Sequence, residues 1–225
     1  MLYNKAFYKN AGGLARPFTK EELRNEIKIR LDRGQTNLND IDVSKVTDMS
    51  FLFQLFRKYD LSKLDISLWD VSNVTDMRCM FFHCTSFNSD LSRWDVSRVE
   101  NMYCMFYNCK LFNSDLSNWN VSNVIDMAHM FHDCSSFNSD LSRWNVSSVE
   151  SMNNMFANCS NFNSDISKWD VSKVDNMAYM FADCTNFNCD LSGWDTKSLL
   201  FSSEIFFNSG IKEKPKWDSI KSLED

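Results

Sequence analysis

The stretch FNSDLSRWDVSRVENMYCMFYNC (residues 87–109) returns as FNSDLSNWNVSNVIDMAHMFHDC at residues 112–134. Self-similarity at a fixed period is the signature of stacked repeats, and it governs every later step of the reading. The tryptophans Trp69, Trp94, Trp119, Trp144, Trp169 and Trp194 recur every 25 residues without a slip. Cys84, Cys109, Cys134, Cys159 and Cys184 keep the same time, as do the phenylalanines from Phe81 to Phe181 and from Phe87 to Phe187 and the methionine pairs from Met77/Met80 to Met177/Met180.

The copies decay at both ends, as terminal repeats facing water do. Upstream, IDVSKVTDMSFLF (41–53) matches WDVSNVTDMRCMF (69–81), with Ile41 in the tryptophan column, Phe56 in the cysteine column and three extra residues within 57–64. Downstream, IFFNS (205–209) keeps the register of MFADC (180–184). The expected organisation is an N-terminal segment with a capping helix over 1–40, seven coils over 41–209 and a C-terminal cap over 210–225.

Within one copy, Leu91, Trp94, Val96 and Val99 have the L-x-x-L-x-L spacing of leucine-rich repeats, which predicts a short strand with Trp94 and Val96 pointing inward. Met102, Met105, Phe106 and Cys109 follow the i, i+3, i+4 rhythm of a short helical turn. The fold class expected is therefore a repeat protein, a leucine-rich-repeat-like right-handed solenoid with one strand and one helical turn per coil. Stacking removes each coil's apolar edge from water on both sides. An indole in such a column buries about 150–250 Å², worth on the order of 4–6 kcal/mol as an upper bound. For the first coil, Thr19-x-x-Glu22 reads as a capping box, with Leu23, Ile27 and Leu31 on one helix face and Gly34 as terminator. For the last, Phe201, Phe206, Phe207, Pro215 and Trp217 are the expected closing residues.

Stacked cysteines ~4.8 Å apart lie within disulfide range. Five equivalent thiols cannot all pair, so the reading favours a reduced, packed ladder, with Cys79, Cys104 and Cys189 incidental. Asn88 and its successors are read as amides satisfying backbone groups at a bend, and the Asp90 column as carboxylates accepting turn N–H groups. A calcium ladder is the alternative for the aspartates, but the glycine-rich calcium nonapeptide is missing and glycine totals five.

Chemistry is hard to place on this frame. His83, His129 and His132 sit at positions that vary between copies. His129 and His132 are spaced to share a metal with Asp133 or Cys134, or to be plain surface residues, and the second reading is preferred. No phosphate loop, G-x-S-x-G or metalloprotease helix occurs. The chain is expected to be no enzyme and to use no cofactor or metal. Its charge of −6 offers no basic footprint for nucleic acid, and no stretch approaches the ~20 apolar residues of a membrane span. Four sequons (Asn73, Asn120, Asn145, Asn158) fall largely out of the repeat text and are read as accidental. Lacking a signal peptide, the sequence reads as cytoplasmic.

Recognition is sought where residues change while the frame holds. Three columns qualify: Arg93, Asn118, Arg143 and Lys168 before the tryptophan; Asp95, Asn120, Asn145 and Asp170 after it; and Arg98, Asn123 and Lys173 after the V-S pair. They are the candidate surface for a protein partner, with Tyr103, Tyr107, Phe82 and Tyr179 marking a competing face. The alternative is a structural part that self-associates through its ends, the chain otherwise being a monomer or weakly associating.

W-D-V-S-N-V-T-D-M (69–77) and M-F-x-x-C-x-x-F-N-x-D-L resemble the BspA-like leucine-rich repeat family of bacterial surface proteins, also found in protists and large DNA viruses. The resemblance covers roughly residues 19–217, including TKEELRNEI and the closing S-G-I-K-E-K-P-K-W. It implies a secreted or surface-displayed protein engaged in adhesion or host-protein binding, without a catalytic motif. The missing leader, lipid-attachment cysteine and wall anchor run against display.

Overall fold

The structure is a computed structural model that describes residues 15–221; the remaining parts of the expected N-terminal segment and C-terminal cap lie outside the described residues. Among the described residues helix α1 (Lys20–Asp32) stands near the start and helix α2 (Lys216–Lys221) at the end. Between them the chain winds into stacked coils in register. Single-residue parallel bridges run Asp48–Asp76–Asn101–Asp126–Ser151–Asn176–Phe201, one per coil.

The strand does not fall where the leucine-rich-repeat spacing places it. Trp94 and Val96 lie between two tight turns, in which Trp94 N–H donates to Leu91 C=O at 3.1 Å and Val99 N–H to Val96 C=O at 2.9 Å. The cause is local: Asp90 and Asp95 accept the N–H groups of Ser92 and Ser97 two residues on, at 2.9 and 3.0 Å. These side-chain turns compete with an extended backbone. Extension survives only around Asn101, and among the described residues each bridge is a single residue long.

The expected helical turn is also replaced. From Met77 to Cys84 the chain makes overlapping turns, Met80 N–H to Met77 C=O, Phe82 to Cys79 and Cys84 to Phe81, at 2.9–3.2 Å. The alternate N–H groups of Met77, Cys79, Phe81 and His83 point out of the coil and donate to Asn101, Tyr103, Met105 and Tyr107 of the next, at 2.8–3.0 Å. Left-handed backbone at Cys79 (φ 52°) and His83 (φ 61°) makes this possible, and it recurs through Glu204 and Asn208. A helix would have kept those hydrogen bonds within the coil. Left-handed conformation costs an L-residue on the order of 1–2 kcal/mol, and the bonds to the next coil offset it. In the second of these columns every residue from His83 to Asn208 is Asn, Asp or His, the types that tolerate left-handed backbone best.

The core is a set of axial ladders. Phe81, Phe106, Phe131, Phe156 and Phe181 stack at centroid spacings of 5.5–5.8 Å, and each touches the second phenylalanine column at 4.0–4.1 Å. Each indole N–H reaches back one coil, Trp144 to Leu116 C=O at 2.9 Å and Trp169 to Leu141 C=O at 3.0 Å. A buried serine column bonds the same residues from the other side: Ser139 Oγ accepts Leu116 N–H at 2.8 Å and Ser164 Oγ accepts Leu141 N–H at 2.8 Å. The cysteine column is thiol, with Cys134 and Cys159 Sγ donating to Phe106 and Phe131 C=O at 2.9 and 2.8 Å. Cys189 is not incidental, because it occupies the serine column in its coil. The amide ladder is present: Asn113 N–H donates to Asn88 Oδ1 and Asn138 N–H to Asn113 Oδ1, both at 2.9 Å.

The two ends differ. At the N-terminal end α1 carries the capping box and buries Leu23, Ile27 and Leu31. Arg24 donates to the Ser50 and Phe51 carbonyls, and Lys20 pairs with Asp48 at 2.6 Å. At the C-terminal end Trp217 on α2 extends the tryptophan stack, 6.2 Å from Trp194, with its indole N–H on Leu191 C=O at 2.9 Å. Phe201 and Phe207 do not close the coil. They are 56% and 53% exposed, whereas Phe206 is buried, its ring 5.8 Å from Trp217.

Candidate functional site

The frame fixes where variable side chains stand. The residue before each bridge, as in Thr75, Glu100, Ile125 and Glu150, hands its N–H to the coil behind: Glu100 to Thr75 C=O and Ile125 to Glu100 C=O at 2.9 Å, Glu150 to Ile125 C=O at 2.8 Å. Its side chain therefore recurs at a fixed point along the solenoid axis. Two residues earlier stand Arg98, Asn123, Ser148 and Lys173. The two rows enclose an open groove of about 590 Å³ that runs across several coils.

Of the candidate recognition residues, Arg98, Asn123 and Lys173 are brought together there. Arg98 Nη1 donates to Asn73 Oδ1 at 3.0 Å, and Asn123 Nδ2 donates to Ser97 C=O at 2.7 Å, so these two are held by the neighbouring coil. Arg93, Asn118, Arg143 and Lys168 are exposed but do not line the groove. Asp95, Asn120, Asn145 and Asp170 serve the turns, each accepting the N–H of the serine two residues on at 3.0–3.2 Å. Glu100, Ile125 and Glu150 were missed from the sequence, although they meet the criterion applied to the other columns: they vary inside a fixed frame.

Charge gives the groove its character. On α1 Lys20, Lys28 and Arg30 stand in ion pairs with carboxylates at 2.5–2.8 Å. In the groove Arg98, Lys173, Glu100 and Glu150 form no ion pair among the described residues. Between the two glutamates Ile125 is 44% exposed. Two cations, two carboxylates and a central apolar side chain thus stand together along the groove.

The turn side carries an aromatic strip. Phe82 stacks on Tyr107 at 4.9 Å, Tyr107 on His132 at 4.6 Å, and His129 packs 5.6 Å from His132. The histidines are half-buried and not free surface residues. Burial lowers the pKa of both His129 and His132, which favours neutral rings suited to stacking. Asn108 Nδ2 lies 2.7 Å from His83 Nδ1. Among the described residues no group of three or more His, Cys, Asp or Glu side chains converges as a metal site. No helix there is long and apolar enough to cross a membrane.

Comparison with known proteins adds a family and little else. No curated protein matches the chain. Among solved structures, the TLR13 chain in a crystal structure of the TLR13–ssRNA13 complex is similar with a TM-score of 0.27 and 10% identity, over 76% of this chain. This chain spans 29% of that one's length. A family model described as "Mycoplasma protein of unknown function, DUF285" matches residues 25–143 and again 114–217. Two overlapping matches to one family are what a repeated unit produces, and the chain belongs to the DUF285 family.

Proposed function

We propose that the chain is a non-catalytic recognition scaffold that binds an extended polypeptide segment along the groove. The observation that carries this reading is the set of four unpaired charges around exposed Ile125, on a surface whose N-terminal cap pairs its own. Coils repeat at ~4.8 Å, so Arg98 and Lys173, three coils apart, are separated by about 14 Å along the axis, the reach of four to five extended residues. A complementary segment has an apolar residue against Ile125, basic residues against Glu100 and Glu150, and acidic groups towards Arg98 and Lys173. Charge complementarity of this kind sets register and excludes wrong partners. Within this proposal fall the kinship with BspA-like repeats, a right-handed leucine-rich-repeat-like winding, and a role in adhesion or host interaction.

The test is selection of displayed random peptides on the purified chain. Expected are enriched peptides with an apolar centre flanked by basic residues, lost on Glu100→Lys/Glu150→Lys and retained on Arg93→Ala/Arg143→Ala/Lys168→Ala. Equal loss with both variants, or no enrichment at all, rejects the groove.

A second reading, association through the C-terminal end, is favoured by one feature. Among the described residues no following coil accepts the N–H groups of Glu204, Phe206 and Asn208, beside exposed Leu200, Phe201 and Phe207.

A further inference from the structure

Three of the eight thiols lie outside the cysteine ladder, and two of them are neighbours. Cys79 and Cys104 occupy the same left-handed position in adjacent coils, with φ of 52° and 54°. Elsewhere that column holds His129, Asn154 and Tyr179, so the core does not demand cysteine there. The register is fixed by Cys79 N–H on Tyr103 C=O at 2.8 Å and Cys104 N–H on Ala128 C=O at 2.9 Å. Coils at ~4.8 Å put equivalent residues within the Cα separation a disulfide spans. The two thiols interact with each other, and the Tyr103 side chain interacts with Cys104. They are 5% and 4% exposed, against 0–1% for the five ladder cysteines.

We propose that Cys79 and Cys104 form a peroxide-reactive dithiol site, Cys79 being the attacking sulfur and Cys104 the resolving one. The asymmetry has a physical cause. The Cys104 thiol beside it and the Arg78 guanidinium favour the Cys79 thiolate, while the neighbouring Cys79 and burial hold Cys104 as a thiol. The ladder thiols are pushed the other way by burial, Cys84 and Cys184 up to about 12. The thiolate is the reactive species, so the site is selective.

The Cys79 thiolate attacks one peroxide oxygen and the O–O bond breaks. Hydroxide leaves and takes up a proton as water, and Cys79 becomes a sulfenic acid. The Cys104 sulfur then attacks the Cys79 sulfur and the S–O bond breaks. Water departs with the Cys104 proton, and the disulfide forms. Two thiols lose two electrons, and one peroxide is reduced to two waters. The product staples two coils through the turn side.

The experiment treats the reduced full chain with a stoichiometric dose of hydrogen peroxide, followed by intact mass and non-reducing peptide mapping. Expected are the loss of two hydrogen atoms and a peptide pair linked through Cys79 and Cys104. Cys104→Asn, a residue this column already accepts at Asn154, traps the sulfenic acid, read as a dimedone adduct on Cys79. Cys79→Asn abolishes both products. The proposal is overturned if the wild-type chain gains oxygen without losing hydrogen, if the linked pair includes Cys189 or a ladder cysteine, or if dimedone labels Cys104 first. The wild-type map alone decides, whatever the variants' stability.

Discussion

Replacing Ser139 by alanine isolates one of the clamps between coils. Ser139 is 7% exposed and its Oγ accepts the N–H of Leu116, a fully buried residue, at 2.8 Å. The Leu116 carbonyl is held independently by the Trp144 indole at 2.9 Å. Alanine fits the space and leaves the leucine N–H without an acceptor. A buried unsatisfied amide costs about 1–3 kcal/mol. For a chain of this size each kcal/mol moves Tm by about 2–4 °C, giving an expected fall of roughly 2–12 °C. Ser139→Cys is expected to cost less, since Cys189 fills this column next to Ile166. Thermal denaturation followed by circular dichroism gives the Tm, and amide exchange reads the Leu116 N–H. Asn118→Ala, an exposed change one coil away, is the control and stays within about 0.5 kcal/mol. An unchanged Tm together with undiminished Leu116 protection in Ser139→Ala would refute the clamp.

Burial holds the Asp126 carboxyl above its ordinary pKa in a column where Asn101 and Asn176 make the same turn bond. Asp126→Asn therefore raises Tm at pH 7, and the gain shrinks in acid as the wild-type carboxyl protonates; a lower Tm at pH 7 counts against this. Hydrogen bonds from Ser92, Ser97, Ser117 and Ser142 hold Asp90, Asp95, Asp115 and Asp140 below 3.8. A depressed folded-state value contributes stability above the ordinary carboxylate pKa and loses it as pH falls through the folded value, so these groups give a Tm that drops below about pH 4 and not between 7 and 5. A Cβ at Gly210 would sit 2.5 Å from Thr185 C=O and 2.8 Å from Phe187 C=O, so Gly210→Ala costs about 1–3 kcal/mol in a urea titration. If the C-terminal end drives association, Phe201→Lys/Phe207→Lys shifts the chain to a smaller species in light scattering and leaves peptide selection on the groove unchanged.

The period, the core columns and the capping helix were legible because hydrophobic side chains repeat at fixed offsets and a capping box has a short signature. The local backbone was not. Trp94 and Val96 look like strand residues because burial, not extension, selects them, and Met102–Phe106 shows a helical rhythm though its backbone alternates hand. The Asn, Asp and His residues before each ladder cysteine were the available signal for that alternation, overlooked because histidine invites a chemical reading. Arg98, Asn123 and Lys173 were found by their variability, and Glu100 and Glu150 were missed because the bridge was sought beside the tryptophan. That Cys79 and Cys104 stand in one column of adjacent coils was visible in their spacing of 25, although neither belongs to the cysteine ladder.

Every clamp described between coils reaches only the next coil along, whether indole, hydroxyl, thiol or left-handed N–H. A coil thus carries nothing that its neighbours' neighbours depend on. Loss or gain of 25 residues rejoins equivalent surfaces, and the three extra residues within 57–64, across which Phe53 and Phe81 still stack at 5.1 Å, show that a loop outside the ladders absorbs what does not fit the period. Array length, and with it groove length, can thus change by whole coils while the remaining coils keep their contacts.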